Sequence, residues 1–236
     1  MLEISHFTKR YGSELAVSDL TITVKPGDVC GFIGHNGAGK TTTLRAVAGI
    51  LDFDEGDIKI GGRSIRTEPL ACKKETAYIP DNPDLYDYLT GAQYVSFVAD
   101  IYGVSKDRRD KLTKEYAGAL EMEKNLGKLI GSMSHGMRQK VAILAALVHE
   151  PKLLLLDEPF VGLDPIASHT LKEILSSQCR AGAAVFFSTH VLEVAEKICN
   201  SVAIIRQGKL VASGTMDEVR GDQSLESVFL ELSEHA

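Results

Sequence analysis

Residues 34–41 read GHNGAGKT and fit the spacing G-x-x-x-x-G-K-[ST]. Gly34, Gly37 and Gly39, with His35, Asn36 and Ala38 between them, allow a run of backbone N–H groups to curl around phosphate oxygens. Lys40 adds the positive charge expected on the β and γ phosphates of a nucleoside triphosphate. The Thr41 hydroxyl, followed by Thr42, is an expected Mg2+ ligand.

Two acids follow a second apolar run, KLLLLDEP. Asp157 at the end of the run is expected to hold Mg2+, and Glu158 one residue further on is the candidate general base for attack by water. Alone, both residues equally fit strand-end acids that face solvent. His190 closes a third apolar run, AAVFFSTH, and the carboxyl ends of strands are where doubly wound sheets place ligands. It is expected to contact the γ phosphate or the attacking water as a donor. Tyr11, in TKRYGS, offers a ring that can stack on adenine.

The elements needed to position these groups are legible from periodicity. LEISHF and LTITV alternate apolar and polar residues, and VCGFIG is a buried-strand run directly ahead of the glycine loop. From Lys40 the pattern KTTTLRAVAGIL turns helical. Residues 82–150 are expected to be helical: Thr90 with Gln93 forms a capping-box pair, Ser105 caps KDRRDKLTKEYAGAL, and a third helix follows Gly136. KLLLLD, AAVFFS and SVAIIR then alternate with helices from Pro165 and over VLEVAEKI, and Gly208 turns the chain into KLVASG. Asp164 and Pro165 suit an N-cap and a first helical position.

Composition narrows the class. With 236 residues, of which 44% are hydrophobic, the chain can bury a large core. Its net charge of −6 comes from dispersed residues, so no basic stripe for nucleic acid and no basic amphipathic helix is visible. Cys30, Cys72, Cys179 and Cys199 show neither a C-x-x-C pair nor metal-ligand spacing, as expected for reduced thiols in the cytosol. The longest apolar run, VAILAALV, is too short to span a bilayer.

A second loop, GSMSHGMRQK, breaks into the helix that starts near Gly136, and its exposed N–H groups make another anion site. The ordered set GHNGAGKT, helical insert, MSHGM, LLLLDEP, VGLD and STH resembles, from end to end, the ATP-binding subunit of ABC transporters. The resemblance implies an α/β fold: a P-loop NTPase core with a mixed sheet, an N-terminal antiparallel β subdomain and an inserted α-helical subdomain. It makes residues 1–236 one ATPase domain, with 1–81 and 151–236 as the core and 82–150 as the insert. It implies ATP and Mg2+ as ligands, a head-to-tail dimer in which Ser134 and Gly136 reach the partner's ATP, and separate transmembrane permease subunits. The expected location is the cytoplasmic face of the cell membrane.

Two positions depart from the commonest pattern: His135 and Met137 replace a glycine and a glutamine of LSGGQ. SHGMRQK is similar to the branch whose members export drugs, lipids or polysaccharides, and export is the expected direction. Asp81 in AYIPDNP stands where the family usually has glutamine, and the resemblance makes it a nucleotide and metal contact. The stretch DNPDLYDYLT, with Leu85, Tyr86 and Tyr88 as anchors, is the expected surface for the membrane subunits. A ribosomal or DNA-directed relative would carry a second module or a long coiled coil, and a GTPase would carry N-K-x-D.

Overall fold

The computed structural model describes residues 1–234; the last two residues of the expected single domain lie outside the described residues. The alternating N-terminal segments form β1 (Leu2–Tyr11) and β2 (Glu14–Val24), which pair antiparallel and turn Leu2, Ile4, Leu20, Ile22 and Val24 inward. With β4 (Glu55–Ile60) and β5 (Arg63–Ser64) they make a four-stranded sheet in the order β2-β1-β4-β5.

A second sheet has the order β10-β9-β3-β8-β7-β6. Its members are β3 (Val29–Ile33), β6 (Thr76–Ile79), β7 (Leu153–Asp157), β8 (Ala184–Thr189), β9 (Ser201–Arg206) and β10 (Lys209–Thr215). Pairing is parallel from β9 to β6, and β10 adds antiparallel at the edge, so the sheet is mixed. Helices cover both faces, which is why the strands read as continuous apolar runs. Successive residues of each strand go to opposite cores: Val29, Leu154, Leu156, Val185 and Phe187 to one, Cys30, Leu153, Leu155, Ala184 and Phe186 to the other. Each leucine of the β7 run is at most 1% exposed, worth roughly 1.5–3 kcal/mol of removed apolar surface.

The register positions the chemistry. Ile33 pairs with Thr189, and Asp157 pairs with Ser188. The residues that follow, Gly34, Glu158 and His190, therefore leave three adjacent strands at one edge of the sheet.

Helix α1 (Lys40–Val47) starts from the glycine loop, and α2 (Pro69–Lys74) precedes β6. Between β6 and β7 the chain is helical: α3 (Gly91–Ile101) with the Thr90–Gln93 capping box, α4 (Lys106–Ala119) capped by Ser105, a 3-10 turn at Ile130–Ser132, and α5 (His135–Leu147). The start of α5 corrects the expectation of a helix after Gly136. Ser134 is the N-cap, its hydroxyl accepting the Met137 N–H, so Gly136 lies in the first turn. The remaining helices are α6 (Pro165–Arg180), α7 (Leu192–Ile198), α8 (Met216–Arg220) and α9 (Leu225–Glu234). Asp164 caps α6 by accepting the Ala167 N–H at 2.8 Å. Among the described residues, no helix is long and apolar enough to cross a membrane.

The four cysteines are free and buried, and burial raises all four thiols, Cys30 to about 12 and Cys179 to about 11.

Candidate functional site

A cleft of about 660 Å³ opens at the edge where β3, β7 and β8 end. Its walls include Asn36, Gly37, Gly39, Lys40, Thr41 and Thr42 from the loop and α1, Asp157 and Glu158 from the end of β7, and Asp81 and Tyr11 from the flanks. Gly39 is the N-cap of α1 at φ 106, and a β-carbon there would stand 2.8 Å from the Ala16 carbonyl oxygen and the Val17 side chain. Only glycine fits that turn.

Lys40 is 6% exposed and donates from Nζ to the Gly34 and His35 carbonyls at 2.6 and 3.2 Å. The same Nζ lies 3.7 Å from Glu158 Oε1. Burial pushes its pKa down, opposed by the negative charges of Glu158 and Asp157. Asp157 is 3% exposed and accepts a hydrogen bond from Ser188 Oγ on the neighbouring strand. Glu158 adopts φ 47, an uncommon conformation for a side-chain-bearing residue, and its N–H donates to the Ser188 carbonyl and hydroxyl at 3.2 and 3.1 Å. Ser188 thus fixes both acids. It is 0% exposed within an apolar strand, and a serine at that place in AVFFST is the signal that could have revealed it. His190 Nδ1 lies 2.9 Å from Glu158 Oε1, within hydrogen-bond distance, so a proton on that nitrogen is donated to the carboxylate.

Tyr11 is half exposed in the cleft, with Lys9 Nζ 5.2 Å from its ring centroid. Two loop side chains turn elsewhere. Ala38 is buried and its N–H donates to the His35 carbonyl at 3.2 Å, while the His35 ring packs on Phe229 of α9. Neither residue lines the cleft.

Ser134 and Gly136 also lie outside the cleft, at the start of α5. Gly136 abuts the segment between Glu158 and α6. A β-carbon on Gly136 would be 2.8 Å from the Gly162 carbonyl oxygen, and the His135 ring lies against Gly162. Lys140 Nζ then reaches Asp164 Oδ2 at 3.1 Å. Further round, Tyr86 and Tyr88 are exposed and stacked with centroids 5.7 Å apart, and Phe97 and Tyr94 meet Tyr86 edge-on. Leu85 is not part of that surface: at 6% exposure it belongs to the core beneath.

Residues 17–161 match the family model of the ABC transporter domain. The chain belongs to the ABC transporter family. It is 36% identical to the ABC-type transporter ATP-binding protein EcsA of Bacillus subtilis (strain 168) over 238 residues, covering 99% of this chain and 96% of that one. It is 34% identical to the bacitracin transport ATP-binding protein BcrA of Bacillus licheniformis, over 93% of this chain and 71% of the relative. A solved ATP-binding subunit of an ABC transporter superposes with a TM-score of 0.95 at 34% identity, covering 99% of this chain and 100% of that one. The chain is therefore an ATP-binding, ATP-hydrolysing subunit of an ABC transporter.

The donor set of this ABC subunit fits Mg2+ shared with phosphates. Among the described residues no three His, Cys, Asp or Glu side chains are gathered to hold a metal alone. Among the hydroxyl and carboxylate groups that line the cleft beside the glycine cradle, Thr41, Asp157 and Asp81 are oxygen donors of the kind Mg2+ takes together with nucleotide oxygens and water.

Proposed function

We propose that the cleft binds Mg-ATP through Gly34 to Thr42, that Glu158 is the general base for water attack, and that His190 and Lys40 stabilise charge on the transferring phosphoryl group. The observation that carries this reading is the convergence of Lys40 and His190 on one Glu158 oxygen, at 3.7 and 2.9 Å. A carboxylate between two donors is held in one orientation, and each donor can turn to phosphate oxygens. Thr41, Asp157 and Asp81 are the proposed metal contacts, and Mg2+ when bound supplies positive charge to the phosphates. Tyr11 is the proposed adenine platform, supported by its exposed ring at the rim of the cleft.

The opening of α5 is assigned to a different nucleotide. An N-terminus with Ser134 as cap and Gly136 in its first turn suits a phosphate, yet it does not line this chain's own cleft. A second copy in head-to-tail orientation supplies that phosphate, and each site is then completed by its partner. Dimer closure on ATP and reopening on hydrolysis drive permease subunits on the cytoplasmic face of the membrane, with the exposed Tyr86–Tyr88 pair as their docking anchors. Export is the proposed direction, on the likeness of SHGMRQK to exporter subunits. The membrane subunits select the cargo.

Mixing two inactive variants tests the composite site. Lys40→Ala loses its own phosphate loop and keeps the start of α5; Ser134→Arg keeps the loop and blocks the partner. With free exchange about half of the dimers are mixed, each with one intact site, and independent sites return about a quarter of wild-type ATPase activity. Strict cooperation between sites lowers that yield, so an Mg-ATP-dependent mixed dimer is also sought by tagged pull-down. Loss of ATP affinity in monomeric Ser134→Arg would show that the loop serves its own nucleotide.

A further inference from the structure

The phosphate loop is in contact with the far end of the chain. The His35 and Phe229 rings pack with centroids 4.9 Å apart and planes inclined at 58°. His35 is not a passive position: its carbonyl accepts both the Lys40 Nζ and the Ala38 N–H, each at 3.2 Å. The turn that presents the loop's amides is thus tied at His35 by its carbonyl and by its ring.

Helix α9 is itself anchored against the same region. Leu225 at its start is fully buried, and Phe229 packs on the core cluster shared with β3 and β9. Near its end the Leu232 carbonyl accepts a hydrogen bond from Arg206 Nη1 at 2.9 Å. Arg206 follows Ile205, whose carbonyl oxygen approaches Gly34 so closely that a β-carbon there would stand 2.4 Å away. One helix thus bears on both the first residue of the loop, through β9, and the second, through the Phe229 ring.

We infer that α9 positions the phosphate loop, with Phe229 acting through His35 to set ATP affinity. This rests on the reading of residues 34–42 as the ATP site. The ring of Phe229 holds the His35 turn in its binding geometry, so its loss lets the turn relax and weakens ATP binding. The chemical step at Glu158 is left nearly intact, because the Phe229 ring acts on the His35 turn while Glu158 is held by Ser188, His190 and Lys40.

The test measures the Mg-ATP dissociation constant and saturated ATPase rate of the full chain for Phe229→Leu, Phe229→Tyr, His35→Ala and the double variant Phe229→Leu with His35→Ala. Leucine keeps apolar bulk and removes the aromatic ring. We expect Phe229→Leu to weaken ATP roughly threefold to tenfold, the scale of one aromatic contact, with the saturated rate within about twofold of wild type. Phe229→Tyr should recover wild-type affinity, and the double variant should bind no worse than the weaker single variant. Wild-type affinity in folded Phe229→Leu, or additive losses in the double variant, would overturn the inference. If Phe229→Leu does not fold, unchanged affinity in His35→Ala overturns it, and weakened affinity there together with wild-type binding by Phe229→Tyr supports it. Lys40→Ala separates the two levels: if it keeps ATP affinity the site assignment itself fails, whereas its loss beside unaffected Phe229 variants removes only the role of α9.

Discussion

His190 and Glu158 share a hydrogen bond of 2.9 Å, and the oxygen they share also faces Lys40 at 3.7 Å. The glutamate is thereby oriented from two sides, while its backbone is fixed by two hydrogen bonds to Ser188.

Glu158→Gln keeps the shape of the side chain and removes its ability to take a proton. It should retain ATP binding and slow hydrolysis by about a hundredfold or more, the scale of losing a positioned base. Single-turnover kinetics with labelled ATP give the rate, and size exclusion should show a dimer that ATP stabilises. Normal hydrolysis by this variant would assign the base elsewhere.

His190→Ala should lower kcat more than it raises KM, since a donor to developing charge matters most in the transition state. The stability of the fold should hardly change, because the side chain is half exposed. Steady-state kinetics with a thermal melt on the same sample separate the two; matched losses in binding and turnover would make the histidine a scaffold residue.

Asp164 serves α6 as its N-cap and α5 as the acceptor of Lys140. The Ala167 N–H and then Lys140 hold its carboxyl below the ordinary aspartate range. Asp164→Ala should cost about 1 kcal/mol through the lost cap, and Asp164→Asn much less. Lys140→Ala should cost about 1 kcal/mol, since the lysine is largely covered but its partner Asp164 is half exposed to screening solvent. Urea titrations of the three variants check the order.

His149 stacks on Tyr102, with ring centroids 3.7 Å apart, and burial pushes its pKa from 6.5 down to about 4. Between these values the unfolded chain binds more protons than the folded one. The stability this neutral ring contributes is complete above pH 6.5 and is lost as the pH falls toward 4. On moving from pH 7 to pH 5 it accounts for up to about 2 kcal/mol of destabilisation. His149→Phe, which keeps a ring on Tyr102, should lose that part of the acid sensitivity in denaturant melts at the two pH values. An unchanged pH dependence would exclude His149 as its source.

Local signals were strong where one strand or one cap determines the outcome. The leucines of β7, the Thr90–Gln93 box and the Asp164 cap are each decided within a few residues, so their elements could be read directly. The short β6 and α2 carry too few periods to stand out, and β6 exists because β7 offers it a parallel partner. Leu85 shares the DNPDLYDYLT stretch with Tyr86 and Tyr88, and only packing of the insert shows that it faces inward. Ser188 under the two acids and Phe229 against His35 depend on pairing and packing between distant segments, for which a linear sequence holds no period.

The buried cysteines should leave the chain nearly silent toward thiol reagents. With every native sulfur covered and its proton held tightly, a maleimide at neutral pH meets little thiolate. A single cysteine introduced at an exposed position such as Lys114 of α4 would then be labelled against a dark background without first stripping the native ones. Fluorophore or spin-label pairs could follow the approach of two subunits in the otherwise unaltered protein, with the packing beneath its catalytic edge left intact.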